Sequence, residues 1–160
     1  MSAEPMTTKP PALSVRNLTT SFETPAGRVN AVDSVSFDVM SGEVLGLVGE
    51  SGSGKSVTLR SIMRLVHPPG EIHGSVFWGG RDLMTLSDRQ MRTVRGGEIA
   101  MIFQEPMTAL NPVLPIGVQI EENLIAHTTL DGAGRTRRAR ELMDLVGISE
   151  APRRLQDFPH

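Results

Sequence analysis

The stretch LGLVGESGSGKSVTL, which runs from Leu45 to Leu59, passes from an apolar segment through a glycine-rich turn into a predicted helix. Residues 49–56 satisfy the pattern G-x-x-x-x-G-K-[ST], and the order of strand, loop and helix is the context that this pattern requires. Glycines let consecutive backbone N–H groups turn towards one anion at the positive end of a helix. The stretch therefore predicts a loop that holds the phosphates of a nucleoside triphosphate.

Each residue type in this loop has a predicted role. Lys55 would reach the β- and γ-phosphates as a catalytic and binding group, and the Ser56 hydroxyl would be a ligand of Mg²⁺. The alternative is a glycine-rich turn in which Ser56 only begins the helix. The predicted phosphate-binding set comprises Gly49, Glu50, Ser51, Gly52, Ser53, Gly54, Lys55, Ser56 and Val57.

The residues before the loop have the pattern of strands. From Leu13 the chain reads as extended, and after a TPAG turn Val35, Phe37 and Val39 alternate with polar residues. Such alternation is typical of half-buried antiparallel strands. The segment EVLGLVG, residues 43–49, is instead almost continuously apolar, and so is IAMIF, residues 99–103. Both predict strands that are covered on two faces, as in a parallel sheet.

The residues after the loop become helical. Leu59, Ile62, Met63 and Val66 share one helical face, and a short polar helix is predicted near residues 86–94. Beyond Pro112 two more apolar faces follow: Ile116, Ile120 and Leu124, then Ala139, Leu142, Met143 and Val146, before Gly147. We expect a flexible tail over residues 1–11, a nucleotide-binding core over 12–104 and a partial helical subdomain over 105–160.

Composition limits the class of protein. The chain has 160 residues, enough for one domain with a core, and its 16 basic and 18 acidic residues give no general nucleic-acid signature. It contains no cysteine, which excludes disulfides and thiolate metal sites. The four histidines show no metal-ligand spacing. No apolar run approaches the roughly 20 residues that span a bilayer, so any membrane role would depend on a partner.

The flanking sequence bears on two other classes of nucleotide-dependent protein, the GTPases and the small-molecule kinases. A GTPase would need an N-K-x-D guanine-binding motif downstream of the loop, and NAVD at residues 30–33 lacks the lysine and lies upstream. The loop spacing also suits small-molecule kinases, which usually begin with the loop strand, whereas here an antiparallel pattern comes first. The flanks therefore disfavour GTP and make a kinase an alternative only.

The segment MIFQEPMTALNP, residues 101–112, completes a set of motifs in a specific order. Together with the loop and the leading β-region it resembles the ATP-binding-cassette (ABC) transporter ATPases, and most closely the peptide or nickel importer subunits, from about Leu13 to His160. The resemblance implies an α/β P-loop NTPase core with a leading antiparallel β-subdomain and the start of a helical subdomain. It also implies ATP and Mg²⁺ as ligands.

Two further site residues follow from the resemblance. Phe22 matches the aromatic residue that stacks on adenine, with a core or turn phenylalanine as the alternative. Gln104 matches the Q-loop glutamine, which is a catalytic residue and Mg²⁺ ligand. Its amide oxygen could coordinate the metal, and its amide nitrogen could donate a hydrogen bond to the attacking water. Gln104 could otherwise be a strand-end polar residue. A Walker B interpretation of AMIFQE is disfavoured because that strand normally ends in Asp.

The resemblance also implies partners and a location. Residues 105–112 would face a transmembrane permease, a second ATPase subunit would complete the site, and the protein would lie peripherally on the cytoplasmic face of the inner or plasma membrane. The family's signature motif, Walker B carboxylates and switch histidine do not occur in residues 1–160. We therefore expect an N-terminal portion, incomplete before the signature, that binds ATP without appreciable hydrolysis when alone and exposes apolar surface.

The leading hypothesis is the ATP-binding part of an importer that energises uptake of a solute, of peptide or nickel type. A free-standing nucleotide-binding module without hydrolysis is the second hypothesis, and a P-loop small-molecule kinase is the third.

Overall fold

The structure is a computed structural model that describes residues 9–103 and 109–160. The chain divides into two compact units, one that ends at Met91 and one that begins at Arg92. The strands are β1 (Leu13–Thr24), β2 (Gly27–Val39), β3 (Gly70–Trp78) and β4 (Arg81–Asp82). The helices are α1 (Lys55–Ile62), α2 (Asp88–Gly97), α3 (Ile116–His127), α4 (Gly132–Leu145) and α5 (Ala151–Arg154), and a 3₁₀ turn covers Leu83–Thr85.

The first unit contains an antiparallel sheet with the strand order β2-β1-β3-β4. Leu13 in the central strand β1 pairs with Val39 on one side and with Trp78 on the other. Along β2, Val35 and Phe37 are half-buried while Ser36 and Asp38 are exposed. The alternation that the sequence predicted for this strand is confirmed, because one face of the sheet packs inward and the other faces solvent.

The sheet and α1 share a core. Its buried apolar side chains are Val15, Leu18, Val32, Ile62, Met63, Val76, Leu83 and Met91. Within this core the hydroxyl groups of Thr20 on β1 and Ser61 on α1 are 2.7 Å apart, and Ser61 Oγ donates to the Val57 carbonyl oxygen at 2.7 Å. Since Ser61 has one hydroxyl hydrogen, Thr20 must be the donor to Ser61. This chain of hydrogen bonds ties the helix after the loop to the central strand.

The two predicted apolar strands do not form. Residues 43–50 and 100–103 have no strand structure, and Ile99 makes only an isolated bridge with Arg95. Val44 is 95% exposed, Val48 is 97% exposed and Ile102 is 96% exposed. The physical reason is that a strand of a parallel sheet needs neighbouring strands to pair with its edges and helices to cover its faces, and no described residues form strand pairs with these two segments. The expected exposure of apolar surface is confirmed.

The second unit is helical. Leu124 of α3 and Ala139 and Met143 of α4 are buried, in agreement with the predicted apolar faces, whereas Val146 is exposed. Ala151 of α5, which the sequence did not assign to either face, is buried as well. Asp131 caps α4 by accepting a hydrogen bond from Gly134 N at 2.7 Å. Gly147, with φ +76°, lies just beyond the end of that helix, as the sequence predicted.

The start of α3 is capped by backbone from much later in the chain. Ile116 N donates to the Asp157 carbonyl oxygen at 2.9 Å, and Gly117 N donates to the Leu155 carbonyl oxygen at 2.8 Å. A Cβ atom on Gly117 would lie 2.7 Å from that Leu155 oxygen, so the approach requires glycine. Two N–H groups that a helix leaves unpaired at its start are thereby satisfied without a side-chain cap.

Candidate nucleotide-binding site

The glycine-rich loop joins the exposed segment at residues 43–48 to helix α1. Gly52 has φ +82° and Gly54 has φ +87°, both in the left-handed region that glycine adopts without steric cost. A Cβ atom on Gly54 would also collide with the carbonyl oxygen of Ala31 in β2. The loop therefore depends on glycine at position 54 for two reasons, its backbone conformation and its contact with the sheet.

Helix α1 begins directly after this glycine. Gly54 is its N-cap residue, no side chain caps the helix, and Thr58 N donates to the Gly54 carbonyl oxygen at 2.8 Å. Ser56 stands at the second position of the helix and does not act as its cap. The backbone N–H groups of an uncapped first turn are free to donate hydrogen bonds to a phosphate group at the helix N-terminus.

The Lys55 ammonium group folds back over the loop. Its Nζ donates to the Gly49 carbonyl oxygen at 2.7 Å, to the Glu50 carbonyl oxygen at 2.7 Å and to Ser53 Oγ at 3.1 Å. An ammonium group has three hydrogens, so these three bonds use all of its donors. Lys55 is thus centred on the loop by the loop's own oxygen atoms.

Phe22 lies near the end of β1, in the same unit as the loop. It pairs with Val29 of β2 and Gly70 of β3, and its side chain is half-buried. A Cβ atom on Gly70 would lie 2.7 Å from Phe22 Cε1, so one part of the ring rests on a glycine backbone. The remaining accessible part of the ring is the surface on which a planar base could stack.

The predicted Q-loop residue lies outside the described residues. Gln104 and residues 105–108 fall in the gap, whereas Ala109, Leu110, Asn111 and Pro112 are described and exposed. Gln119 of α3 holds the residues that follow: its Oε1 accepts from Asn111 N at 2.8 Å, and its Nε2 donates to the carbonyl oxygens of Asn111 and Leu114. The last part of the predicted permease-facing segment is therefore attached to a helix.

Sequence reasoning missed two contributions to the loop geometry. Ala31 limits position 54 through its backbone carbonyl, and no side-chain pattern could have revealed that. Ser53 was predicted only as one of the phosphate-binding residues, yet its hydroxyl contacts Lys55 and lies against Gly49. A hydroxyl two residues before the motif lysine was the available signal, because a serine there can reach the ammonium group.

The electrostatics of the sheet have one clear perturbation. Arg16 Nη2 lies 2.8 Å from Asp38, and this hydrogen-bonded partner, with a further hydrogen bond to Ser14, lowers the pKa of the Asp38 carboxyl below its ordinary value. Elsewhere, no group of three or more His, Asp or Glu side chains that could hold a metal ion is found among residues 9–103 and 109–160. None of the described helices is long and apolar enough to cross a membrane.

The fold defines a class. An antiparallel sheet that leads into a glycine-rich loop and a helix, followed by a helical unit, is the mixed α/β arrangement of a P-loop nucleotide-binding cassette. One solved structure, the ATP-binding cassette MJ0796 as a dimer in a post-hydrolysis state bound to ADP and Pi, matches with a TM-score of 0.78 and 26% sequence identity. The match covers 92% of this chain and 61% of that cassette.

The sequence comparisons identify the family. The family model described as ABC transporter matches residues 32–159, so the chain belongs to the ABC transporter family. It is 51% identical over 151 residues to a protein of Brucella abortus (strain 2308) named as a peptide import ATP-binding protein. It is 47% identical over 150 residues to the oligopeptide transport ATP-binding protein OppD of Bacillus subtilis (strain 168).

The chain spans about half the length of the curated relatives it matches. The alignments cover 94% and 92% of this chain but 46% of the Brucella protein and 42% of OppD.

Proposed function

We propose that this chain forms the nucleotide-binding part of an ATP-binding subunit that energises peptide uptake through separate membrane subunits. The observation that carries the proposal is the glycine-rich loop with Lys55 centred on it by three hydrogen bonds. The names of the relatives, which refer to peptide import and oligopeptide transport, support peptide over nickel as the solute class. Membership of the ABC family also favours a transport ATPase over a small-molecule kinase.

In this proposal the loop binds the phosphates of ATP. The backbone N–H groups of residues 49–57 surround the phosphate chain, and Lys55 exchanges loop acceptors for β- and γ-phosphate oxygens. The Ser56 hydroxyl and the Gln104 amide oxygen suit Mg²⁺, which prefers oxygen ligands and needs few protein groups when phosphates supply the rest. When bound, Mg²⁺ would neutralise negative charge on the phosphate oxygens.

Phe22 provides the base-binding surface in the proposal. Its ring is half-buried against Gly70, so it is held in place while part of it stays accessible. A ring that is already immobilised loses little conformational entropy when a base stacks on it. This would favour adenine through stacking and leave the phosphate contacts to the loop.

The proposal assigns coupling to the residues on either side of a domain boundary that we place between residues 104 and 105. Gln104, the last residue of the nucleotide-binding core, would sense the γ-phosphate and position the attacking water. Residues 105–112 would contact the permease, and a second ATPase subunit, identical or different, would close over the nucleotide. The protein would then lie peripherally at the cytoplasmic face of the membrane. Hydrolysis and uptake belong to the complete protein in its transporter.

The first test is Mg-ATP binding to Lys55→Ala, measured by calorimetry. We expect affinity to fall by at least 10-fold, because charge-assisted hydrogen bonds to phosphate are lost. Lys9→Ala is the matched control, since Lys9 is the only other lysine of these 160 residues and precedes β1. Unchanged Mg-ATP affinity in Lys55→Ala, with its fold intact, would contradict the site.

The second test addresses transport. Peptide-stimulated ATP hydrolysis by the full-length protein, reconstituted with its membrane subunits, should require Lys55 and Gln104. Phosphorylation of an added small molecule in place of peptide-dependent hydrolysis would favour the kinase alternative.

A further inference from the structure

Among residues 9–103 and 109–160, Ser53 is the only side chain in the hydrogen-bond set around Lys55. Two of the three acceptors, the carbonyl oxygens of Gly49 and Glu50, belong to the backbone and are present whatever the side chains. The third acceptor is the Ser53 hydroxyl, whose bond to Nζ is the longest at 3.1 Å. The loop motif fixes the residues at 49, 54, 55 and 56 but leaves position 53 open.

The Ser53 side chain is held where it can act on the lysine. A Cβ atom placed on Gly49 would lie 2.7 Å from Ser53 Oγ and 3.9 Å from Lys55 Nζ, so the hydroxyl lies directly over the Gly49 backbone. Ser53 N also donates to the Glu50 carbonyl oxygen at 3.2 Å, which fixes the turn. The Ser53 hydroxyl and the carbonyl oxygens of Gly49 and Glu50 therefore surround the Lys55 ammonium group.

This arrangement has a consequence for nucleotide entry. Because all three hydrogens of the ammonium group are engaged, Lys55 can donate to a phosphate oxygen only after at least one of these bonds breaks. The bond to Ser53 is the longest, and a hydroxyl can rotate away at little cost while the two carbonyls stay in the loop.

We propose that Ser53 is a positioning residue that holds the Lys55 ammonium group against the loop and that its hydroxyl is the partner released when a phosphate oxygen takes a hydrogen bond from that group. This inference rests on the proposed function, because it takes ATP phosphate as the incoming acceptor. In this proposal, position 53, which the loop motif leaves open, controls how readily the Lys55 ammonium group becomes available to phosphate. Ser53→Ala leaves Lys55 with two acceptors and one free hydrogen.

The first experiment measures the availability of Lys55 directly. Trace acylation of the nucleotide-free protein with an amine-reactive acetyl ester, followed by peptide mass spectrometry, gives the labelling rate of Lys55 relative to exposed Lys9. Loss of one hydrogen bond in Ser53→Ala should raise this ratio about 2- to 10-fold. Ser53→Thr, which keeps the hydroxyl, should return the ratio to the wild-type value, and Ser41→Ala controls for loss of an exposed serine outside the loop.

The second experiment measures association of Mg-ATP by stopped flow with a fluorescent ATP analogue. The association rate for Ser53→Ala should rise by the same factor as the labelling ratio, with wild-type rates for Ser53→Thr. An unchanged labelling ratio in Ser53→Ala would overturn the proposal, and so would equal changes in Ser53→Ala and Ser53→Thr. Weaker ATP binding with unchanged labelling would also overturn it, because Ser53 would then act on the nucleotide and not on the lysine.

The measurements distinguish a failure of the proposed nucleotide site from a failure of the role proposed for Ser53. If Lys55→Ala binds Mg-ATP like the wild type, the proposed function fails at this site. If Lys55→Ala loses binding while Ser53→Ala leaves labelling and association unchanged, only the role of Ser53 fails. The melting temperature of each variant shows whether the fold is intact, and a Ser53→Ala variant that does not fold is replaced by Ser53→Cys, which weakens the acceptor but keeps the size.

Discussion

The carbonyl oxygen of Ala31 occupies the space that a Cβ atom on Gly54 would need. Strand β2 and the junction between the loop and α1 are therefore in direct backbone contact, although more than twenty residues separate them in the sequence. The glycine-rich loop is thus supported from one side by the antiparallel sheet. The conformation of the loop therefore depends on this strand as well as on the motif residues.

Gly54→Ala should lower both stability and nucleotide affinity. A left-handed backbone costs an alanine about 1–2 kcal/mol, and the clash with Ala31 adds to that cost. Urea unfolding would measure the loss of stability, and calorimetry the loss of Mg-ATP binding. Gly52→Ala is the matched control, because Gly52 has φ +82° but no atom within 4 Å of its Cβ position. Equal losses in both variants would show that the Ala31 contact is unimportant.

The hydrogen-bond chain from Thr20 through Ser61 to Val57 predicts an asymmetric response. Ser61→Ala leaves the buried Thr20 hydroxyl without an acceptor, which costs about 1–3 kcal/mol, whereas Thr20→Val leaves Ser61 its bond to Val57 and should cost about 1 kcal/mol. Chemical unfolding of both single variants and the double variant tests this order. We expect the double variant to lose less than the sum of the two single losses.

Phe22→Ala should weaken adenine nucleotides without affecting phosphate binding. Loss of one base stack costs about 1–3 kcal/mol, which is roughly 5- to 150-fold in affinity. The measurement compares the affinity for Mg-ATP with that for Mg-tripolyphosphate, which has no base. Phe22→Tyr should restore stacking, and Phe37→Ala, at a half-buried phenylalanine of β2, controls for general loss of packing. Equal losses for both ligands would make the ring structural.

The Arg16–Asp38 pair gives the sheet a pH dependence with a defined sign. The folded state lowers the pKa of Asp38, so the pair stabilises the protein above the ordinary carboxyl pKa and loses that contribution as the pH falls through the lowered value. Because both side chains are exposed, the effect should be small and should weaken further in salt. Urea unfolding of the wild type and of Asp38→Asn between about pH 5 and pH 2 would measure this effect. The free energy of unfolding should change less steeply with pH in the variant than in the wild type.

Local patterns predicted the parts of the fold that local forces determine. The alternation of Val35 and Phe37 with polar neighbours predicted a sheet with one solvent-exposed face. Gly147 predicted the end of α4, because glycine adopts the left-handed backbone conformation there without steric cost. The loop motif placed Lys55 at the start of a helix. Each of these features depends on residues that are near one another in the sequence.

The remaining features depend on what a segment meets in space. Val44 and Val48 have the composition of a doubly covered strand, but composition cannot tell whether neighbouring strands are present to pair with them. The roles of Ala31 and Ser53 are equally hidden, since one acts through its backbone and the other through a contact across a turn. The contact between the Phe22 ring and Gly70 was equally hidden, because it joins residues of two different strands.

The backbone cap on α3 also bears on how the chain is made. Ile116 and Gly117 depend on carbonyl oxygens at Asp157 and Leu155, which a ribosome adds only after α3 and α4 have been synthesised. The first turn of α3 would therefore stay frayed on the nascent chain until α5 emerges from the ribosome. The N-terminal end of α3, which follows residues 109–115, would be the last part of the helical unit to pack. Translation order would make the predicted membrane-facing side of this unit the final part to become rigid.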